Sequence, residues 1–428
     1  MRLAVFTSKY PALVATFFER DMRSLIEAGV DIEIFPIYPL ENDLWQYTLD
    51  LLGPDVLPRH KIHHLGLPSA VGSLRPWPVQ QAGRFAADTA RIATSAMRYG
   101  LGPLGKSLYV MPKAWAWARQ YANQFDHVLA YWGNYAGSCA YAFHRLTNPR
   151  VPFSMWLHAG TDLYFRPVYL EEKIAYADRI ITCCAFNHQY LNKRFPRLAP
   201  DIDHKLHVSY HGLDLDDLSY EANGRPARRL IAVGRFARDK GFGDLVHATH
   251  LLRQQGIDVE LQLVGNGPEA SNLRALAVDL GVSDLVNFRG WLPFNEVPKA
   301  MRDATILVHP STGLGDGLPN VIREAMAVGT PVIASHIAGI PEALDGGRCG
   351  VLVPPRNTNE LANAIGALLA DSPRQRELAR RARVRTEEKF DMWRNGQELA
   401  DVLRQTSRRT APADAPVFLP AGAPARRS

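Results

Sequence analysis

The chain has 428 residues, of which 46% are hydrophobic and 21% are charged, a composition typical of globular proteins. This length favours two to three domains of about 150 residues each. The net charge of +6 permits an anionic partner, but the sequence lacks zinc-finger spacing and aromatic RNA-binding signatures, so we expect no nucleic-acid partner.

The cysteines and the hydrophobic runs indicate the compartment. Cys139, Cys183, Cys184 and Cys349 lack the spacing of metal ligands, and we expect free, buried thiols in a reducing environment. The apolar residues 1–6 are too few for a signal peptide, and no run reaches the ~18 apolar residues of a membrane span. The sequence therefore predicts a cytoplasmic protein, with peripheral binding to the inner face of the cytoplasmic membrane as an additional expectation.

The first half alternates buried strands with helices. Strands are predicted at 2–6, 31–37, 128–131, 153–157, 179–182 and 205–208, and the first helix at about 16–28. This alternation predicts an α/β fold with an open, doubly wound parallel sheet. The loop after the first strand, from Thr7 to Pro11, lacks the glycines of a dinucleotide fingerprint, which argues against a nicotinamide cofactor.

Residues 75–120 interrupt this alternation with two predicted helices separated by Gly100–Pro103. Arg84, Arg91 and Arg98 recur every seven positions along one helical face. The segment also carries Arg75, Lys106, Lys113 and Arg119 against one acid, Asp88, with Trp77, Phe85, Tyr99, Tyr109, Trp115 and Trp117 interleaved. This pattern suggests docking on an anionic membrane surface, and the alternative is a solvated face of helices that cover the sheet.

Two polar clusters follow strands of the first half. Trp132 lies just after one predicted strand, and His158 and Asp162 follow the next. Since ligands of open α/β sheets bind beyond the carboxyl ends of the strands, we expect both clusters to border a ligand. A single histidine is more often structural, and this remains the alternative for His158. The segment from His211 to Asp214 closes this half, and 216–228 is the predicted linker.

A second α/β unit begins at 229–233. Arg235 and Lys240 flank the loop after this strand, where a pyrophosphate can bind, and the alternative is a pair of solvated surface charges. Further strands are predicted at 259–264, 286–288, 306–308 and 331–334. Glycine-rich turns at Gly265–Gly267 and around Gly290 follow two of them, and such turns let a ligand approach the backbone closely.

The most informative segment runs from His309 to Pro331. A strand leads into a glycine-rich loop, and the loop leads into a helix with Pro319 at its start. Unpaired N–H groups and the positive end of the dipole make such a helix start an anion site. Asp316 lies just before the helix, and Glu324 lies inside it, about 9 Å along the axis from the helix start. This is too far for an acid/base pair and suits contacts with two parts of one long ligand.

The end of the chain is predicted to be helical and then irregular. Helices are expected at about 358–369, 373–389 and 390–404. Residues 406–428 are rich in Ala, Pro and Arg and cannot bury enough apolar area to offset their ordering entropy. We therefore expect a disordered tail.

These motifs together resemble a known family. Gly234-Arg235 with Lys240-Gly241, Gly265–Pro268, Pro310-Ser311, Gly317 with Pro319, Glu324–Ala327, Gly329–Val332 and Gly339–Glu342 have the order and spacing of the family 4 glycosyltransferases. The resemblance is strong over 229–390 and looser in the first half, where Tyr10-Pro11 and Thr16-Phe17 are similar to the exopolysaccharide (colanic-acid-type) branch. It implies a GT-B fold, in which two Rossmann-like domains face each other across a cleft.

The resemblance also implies that each domain binds a different substrate. The first domain, 1–215 with its basic helical insertion, binds the acceptor, and the second, 229–388, binds a nucleotide-sugar donor. A final helix, 389–405, packs back on the first domain. The implied activity is a retaining, metal-independent transfer of a hexose to a saccharide or lipid-linked acceptor, with no cofactor.

Residue roles are carried over position by position. Arg235 and Lys240 hold the donor diphosphate, and Glu324 binds the ribose. Asp316 faces the donor sugar, and His158 lies near the same sugar from the first domain. The remaining donor contacts are Gly234, Gly265, Gly267, Gly290, Leu292, Gly315, Gly317 and Leu318, and the acceptor side holds Trp132 and Asp162.

Asp316 departs from the family pattern. The family's Glu-x7-Glu pair is Asp-x7-Glu in this chain, so the first carboxylate is shorter by one methylene. We expect an active enzyme, because the neighbouring Gly313 and Gly315 allow the loop to shift toward the ligand. The alternatives are a changed sugar preference, a non-catalytic nucleotide-sugar-binding protein, or another GT-B chemistry such as epimerisation or phosphorolysis.

Overall fold

The computed structural model describes residues 1–11, 16–39, 57–74, 78–160 and 162–410. These residues form two parallel sheets of six strands each, with helices packed on them. Apolar side chains fill both faces of each sheet. The predicted α/β class, with two Rossmann-like doubly wound domains, is confirmed.

The first sheet has the strand order β2-β1-β3-β4-β5-β6. Its strands are β1 (Arg2–Thr7), β2 (Asp31–Pro36), β3 (His127–Ala130), β4 (Phe153–Leu157), β5 (Arg179–Thr182) and β6 (Leu206–Val208). Residues Leu3 to Phe6 are fully buried, because an inner strand of a parallel sheet is covered on both faces. The predicted bounds of these strands agree with the structure to within one residue.

The second sheet has the strand order β12-β11-β10-β7-β8-β9. Its strands are β7 (Arg229–Val233), β8 (Glu260–Val264), β9 (Val286–Gly290), β10 (Ile306–His309), β11 (Val332–Ser335) and β12 (Val351–Val353). The sequence prediction missed β12, because three residues are too few to show a pattern. The order reverses between β7 and β10, and this creates a topological switch point at their carboxyl ends.

Helices connect the strands and cover the sheets. In the first half they are α1 (Thr16–Glu27), α2 (Leu67–Gly72), α3 (Val79–Met97), α4 (Leu101–Tyr121), α5 (Tyr135–Leu146), α6 (Leu170–Tyr176), α7 (Ala185–Arg194) and α8 (Ala199–Lys205). In the second half they are α9 (Phe242–Gln254), α10 (Ala270–Asp279), α11 (Val297–Arg302), α12 (Asn320–Val328), α13 (Ile340–Ala343), α14 (Thr358–Ala370), α15 (Ser372–Lys389) and α16 (Met392–Thr410).

The basic insertion forms the two predicted helices, α3 and α4, but its side chains correct the sequence interpretation. Trp115 and Trp117 are buried in the core, and so is Lys113, whose Nζ donates to the main-chain oxygen of Ile37 at 2.6 Å. These groups pack on the sheet because α4 is apolar around most of its circumference. They are unavailable to a membrane. Residues 75–77, which include Arg75 and Trp77, lie outside the described residues.

The exposed face of the insertion is apolar as well as basic. Val79 is 88% exposed, Leu101 is 84% exposed and Met97 is 57% exposed. The acid of the segment, Asp88, is buried and bonded to Arg145 at 2.6 Å. The outward face of α3 and α4 therefore carries positive charge beside apolar side chains. Within the described part of the chain, no helix is both long enough and apolar enough to cross a membrane.

The last helix, α16, packs against α1. At the crossing, the N–H of Leu213 donates to the oxygen of Phe390 at 2.7 Å, and the N–H of Met392 donates to the oxygen of Leu213 at 3.0 Å. The helix continues to Thr410, so residues 406–410 of the predicted disordered tail are helical. The rest of that predicted tail, 411–428, lies outside the described residues.

Candidate functional site

A cavity of about 320 Å³ lies between the two domains. The first domain lines it with Phe17, Trp132, His158, Ala159, Cys183 and His211, and the second with Val233, Gly234, Lys240, His309 and residues 315–321. The loops after β7 and β10 meet here, at the topological switch point where open α/β sheets bind ligands. The cavity brings together eight predicted site residues: Trp132, His158, Gly234, Lys240, Gly315, Asp316, Gly317 and Leu318.

Asp316 is the centre of a buried polar cluster in this cavity. Its carboxylate accepts a hydrogen bond from Lys240 Nζ, and its Oδ2 lies 2.9 Å from His309 Nε2. Burial, followed by the nearby charge of Lys240, lowers the pKa of His309 to about 3, so this ring is neutral near pH 7. Since an ionised carboxylate only accepts hydrogen bonds, His309 must carry its proton on Nε2. Burial also lowers the pKa of Lys240.

The start of α12 faces the same cavity. Pro319 precedes the helix with φ −62°, and residues up to Val321 line the cavity wall. Gly317 has φ +49°, and a Cβ added there would lie 2.9 Å from Ala159 Cβ of the first domain. The loop therefore requires glycine both for its backbone conformation and for the close approach of the domains. The unpaired N–H groups at this helix start create a site for an anion.

His158 enters the cavity from the first domain. Asp162 holds its loop, because Oδ2 accepts from the N–H of His158 at 3.3 Å and Oδ1 accepts from the N–H of Asn134 at 3.3 Å. Both ring nitrogens of His158 are buried without a hydrogen-bond partner among the described residues. The Trp132 ring lies 4.4 Å from the His158 ring. Asp162 Oδ2 also lies 3.5 Å from His158 Nδ1. Trp132 and His158 thus present an aromatic surface to the cavity, on which Nε2 of His158 has no partner among the described residues.

A buried lysine fixes the loop that carries these groups. Lys173 Nζ donates to the main-chain oxygens of Gly133 and Asn134 at 2.6 and 3.0 Å, and to Ser138 Oγ at 3.1 Å. Burial lowers the pKa of Lys173 to about 7, although the charge of Asp162 opposes this shift. The sequence offered no signal for this residue, because its partners lie 35 or more positions away.

Glu324 lies outside the lining of this cavity. Its Oε1 accepts a hydrogen bond from Arg20 Nη2 of the first domain at 2.9 Å, and both side chains are largely buried. The Arg20 guanidinium also lies 4.9 Å from the ring of Phe294. A second cavity of about 530 Å³ borders Arg20 and Phe294. The carboxylate predicted to bind ribose is therefore paired across the domain interface.

The other predicted residues surround the cavity without lining it. Arg235 is exposed and stands apart from the cavity wall. Gly265 and Gly267 pack against backbone, since a Cβ would lie 1.9 Å from the Gly234 oxygen and 2.5 Å from the Phe236 oxygen, respectively. Gly290 has φ +70°, and its oxygen accepts from the N–H of Gly265 at 2.7 Å. Like Leu292, which is half-buried, these glycines lie outside the cavity lining, and their roles in donor binding stay predictions.

His211 also lines the cavity, and it is bonded to a network behind the cavity wall that the sequence did not predict. His211 Nδ1 lies 2.6 Å from Asp21 Oδ2, and the same oxygen accepts from Tyr131 Oη at 2.5 Å. Sequence reasoning missed this network because 190 positions separate Asp21 from His211. Among the described residues, no three His, Cys, Asp or Glu side chains cluster as a metal site. All four cysteines are buried and free, as predicted.

The second domain matches a known family. Residues 227–371 match the family described as Glycosyl transferases group 1. This segment is a group 1 glycosyltransferase domain. It contains Lys240, His309 and Asp316 as well as the start of α12, so the whole second-domain wall of the cavity belongs to it.

Two curated relatives are named for the synthesis of exopolysaccharides. The putative colanic acid biosynthesis glycosyltransferase WcaL of Escherichia coli is 32% identical over 47% of this chain and 51% of the relative. The amylovoran biosynthesis glycosyltransferase AmsK of Erwinia amylovora is 24% identical over 95% of this chain and 100% of the relative. The chain thus matches about half the length of the first relative and the full length of the second.

Solved structures share the fold over nearly the whole chain. Sucrose-phosphate synthase from Thermosynechococcus elongatus superimposes with a TM-score of 0.71 at 20% identity, covering 96% of this chain and 100% of that one. Anabaena HepE, solved in complex with UDP and glucose, superimposes with a TM-score of 0.68 at 17% identity, covering 95% of this chain and 100% of that one. The fold is GT-B, as the resemblance implied.

Proposed function

We propose that the protein is a retaining glycosyltransferase. It moves a sugar from a nucleotide-diphosphate sugar to a hydroxyl group of a saccharide or lipid-linked acceptor. The observation that carries this proposal is the cavity between the domains. It unites Lys240, Asp316 and the start of α12 from the group 1 domain with Trp132 and His158 from the first domain. Such a cavity places anion-binding groups opposite an aromatic, hydrogen-bonding surface.

The donor lies along the group 1 domain. Its diphosphate binds at the start of α12 and at Lys240, where helix N–H groups and an ammonium converge. Its ribose binds Glu324, whose Oε1 accepts from Arg20 while the second carboxylate oxygen can accept from a ribose hydroxyl. Anabaena HepE, which shares this fold, binds UDP and glucose, and this supports a nucleotide-sugar donor. Arg235, which is exposed, reaches the diphosphate from outside the cavity.

The chemistry is electrostatic stabilisation. When the bond between the anomeric carbon and the phosphate oxygen breaks, negative charge develops on the diphosphate and positive charge on the sugar. Preorganised donors aimed at the departing diphosphate stabilise that charge, and such terms are usually the largest in catalysis. Lys240 and the α12 N–H groups supply these donors without a metal ion. The leaving diphosphate accepts the proton of the attacking hydroxyl on the same face of the sugar, which retains the configuration.

The names of the relatives support an acceptor from exopolysaccharide or cell-envelope glycan synthesis. A lipid-linked acceptor is presented at a membrane, so the enzyme works on the inner face of the cytoplasmic membrane. The outward face of α3 and α4 suits this position, because Met97 and Leu101 are exposed beside Arg84, Arg91 and Arg98. Basic charge combined with exposed apolar side chains favours binding at an anionic interface.

The activity is tested by product analysis. The full chain is incubated with uridine-, guanosine- and adenosine-diphosphate sugars and with lipid-linked saccharide acceptors. We expect release of a nucleoside diphosphate together with a new glycoside that keeps the donor's anomeric configuration by NMR. Lys240→Ala and Glu324→Ala should each lower turnover by about 100-fold, since each removes a donor contact. Near-normal turnover in both folded variants contradicts the assignment.

A second candidate function follows from the pairing of Asp316. The carboxylate is engaged by Lys240 and His309, so the shorter side chain is directed toward protein partners. This favours a nucleotide-sugar-binding protein with little transfer activity. Asp316→Glu separates the two. A wild type with little or no turnover, whether or not Asp316→Glu restores it, supports the second candidate, and measurable wild-type turnover that Asp316→Glu leaves equal or lower supports the enzyme. Consumption of inorganic phosphate instead of transfer indicates phosphorolysis.

A further inference from the structure

His211 occupies a central position that the proposed function does not yet use. It follows β6, lines the cavity and is buried. Its ring is parallel to that of His158, with centroids 5.0 Å apart and an interplanar angle of 3°. The Trp156 ring is also nearly parallel to it, at 5.1 Å and 15°, and lies 5.7 Å from the His158 ring. The His211 ring is therefore packed against two aromatic neighbours.

The charge of His211 is set by its surroundings. Asp21 of α1 contacts Nδ1, and Tyr131 after β3 donates to the same carboxylate. Cys183 after β5 and His158 after β4 face the ring, and Arg323 of α12 donates to the main-chain oxygen of His211. Burial disfavours the charged ring, but the charge and hydrogen bond of Asp21, followed by those of Cys183, raise the pKa of His211 to about 9. The imidazolium is therefore the main form near pH 7.

One nitrogen of this imidazolium has no oxygen acceptor. Nδ1 donates to Asp21, whereas the buried Nε2 has no hydrogen-bond partner by distance and angle among the described residues, and the neighbouring group that contributes to the charge of the ring there is the Cys183 sulfur. A buried charged donor without an oxygen acceptor is costly, so such a group in a cavity indicates the position of a ligand oxygen. His211 thus differs from His158, whose Nδ1 lies 3.5 Å from Asp162 Oδ2 and makes no hydrogen bond.

We propose that His211, held by Asp21, donates a hydrogen bond from Nε2 to an oxygen of the donor's diphosphate. The inference rests on the proposed function, because it takes the nucleotide sugar as the ligand of the cavity. The diphosphate is the part of the donor that carries negative charge, and it gains charge as the sugar leaves. Lys240 and the start of α12 line the same cavity from the opposite domain. His211 therefore completes the anion site from the first domain, and the site forms only when the domains are closed.

The test uses nucleoside diphosphates as probes. Binding of UDP, GDP and ADP to the full chain is measured by calorimetry, and the tightest ligand is followed from pH 6.5 to pH 10. We expect His211→Phe, which keeps an aromatic ring but removes the donor, to weaken binding about tenfold at pH 7. Wild-type affinity should fall as pH rises through about 9, where His211 loses its proton. His211→Phe should lack this component and keep only the fall that comes from Lys240, whose pKa burial also lowers.

Asp21→Asn separates a charge effect from a structural one. Asparagine still accepts a hydrogen bond from Nδ1 but carries no charge, so the pH at which affinity falls should move down from about 9 toward 6.5. A change in packing alone does not move this pH. His207→Gln, a half-buried histidine on β6 outside the cavity lining, is the matched control and should keep the wild-type profile.

An NMR titration of the wild-type protein tests the inference even if the variants do not fold. The ring protons of His211 in the wild-type protein should titrate near pH 9 and shift when the nucleotide binds. If the wild type binds a nucleotide, Lys240→Ala weakens it and His211→Phe leaves affinity and pH profile unchanged, this inference is overturned and the proposed function stands. If none of the three nucleotides binds the wild type, the proposed function itself fails.

Discussion

His127 shows how a single buried residue ties stability to pH. It lies on β3, fully buried, with Nε2 2.7 Å from Ser154 Oγ and Nδ1 3.0 Å from Ser407 Oγ. The two serine hydroxyls bond both nitrogens of the neutral ring, whereas the positive charge of a protonated ring would lie in an apolar environment. Burial, followed by the neighbouring His144, lowers the pKa of His127 to about 3.

The folded state therefore excludes a proton that the unfolded chain binds below pH 6.5. Stability should fall as pH decreases from 6.5 toward about 3, and His127 should contribute about 1.4 kcal/mol per pH unit to this slope. Urea denaturation at a series of pH values checks this. His127→Gln should reduce the slope by one proton, whereas His60→Gln, which replaces an exposed histidine, should not. Equal slopes in wild type and His127→Gln would contradict the account.

At the scale of residues, sequence reasoning located Lys240, Asp316 and His158 because each lies next to a glycine-rich turn at a strand end. It could not find their partners. Arg20 and Glu324 are 304 positions apart, and only the docking of α1 against α12 brings them together. Local spacing predicts which face of an element a side chain occupies, but the contact between two domains depends on their relative orientation.

At the scale of elements, the crossing of α1 and α16 depends on one small residue. A Cβ added at Gly396 would lie 2.3 Å from Ser24 Oγ and 2.4 Å from Ser24 Cβ. Alanine favours a helix over glycine by about 1 kcal/mol, but overpacking at this contact costs about 1–3 kcal/mol. Gly396→Ala should therefore lower the free energy of unfolding, even though it improves the helix.

Gly83 in α3 provides the matched control, because a Cβ there meets nothing within 4 Å. Gly83→Ala should raise the free energy of unfolding by up to about 1 kcal/mol. Urea denaturation of both variants gives the comparison. A stabilising effect of Gly396→Ala equal to that of Gly83→Ala would show that the two helices do not pack as the structure indicates.

The outward face of α3 and α4 is the predicted membrane-binding surface, and replacing its arginines tests this prediction. Replacing Arg84, Arg91 and Arg98 by glutamine should weaken binding to vesicles of anionic lipid by about 3 kcal/mol, since each basic residue near such a surface contributes about 1 kcal/mol. Vesicle sedimentation at physiological salt measures this. Arg376→Gln with Arg380→Gln and Arg381→Gln on α15 is a charge-matched control. Unchanged sedimentation of the α3 and α4 variant would exclude this surface as the membrane contact.

The elements were predicted well where the sequence has a strong local pattern. Buried strands such as Phe153–Leu157 are short apolar runs bounded by polar or turn residues, and their bounds follow from that. The aromatic residues of α4 were misinterpreted, because a helix that is apolar on several faces resembles an interfacial helix in sequence. Only packing distinguishes them, and it places Trp115 and Trp117 in the core.

At the scale of the whole molecule, contacts across the cleft hold the two domains together. Besides the pair of Arg20 and Glu324, the carboxylate of Glu342 in α13 accepts hydrogen bonds from the N–H groups of Ala185 and Phe186 at the start of α7. The chain also returns from the second domain to the first through α16. The cavity is complete only in this arrangement, because each domain contributes one wall.

The cavity between the two domains is the proposed binding site of the nucleotide-sugar donor, and every proposed activity depends on that binding. A ligand that binds only the folded protein raises its melting temperature, because the stabilisation grows with the logarithm of the ligand concentration and reaches about 2.7 kcal/mol at 100 times the dissociation constant. The most direct measurement is the melting temperature of the full chain with UDP, GDP, ADP and their sugar conjugates, for wild type and Lys240→Ala. We predict that at least one nucleotide stabilises the wild type by several degrees and that Lys240→Ala loses this effect while melting normally without ligand. Equal stabilisation of both proteins, or of neither, would contradict the account.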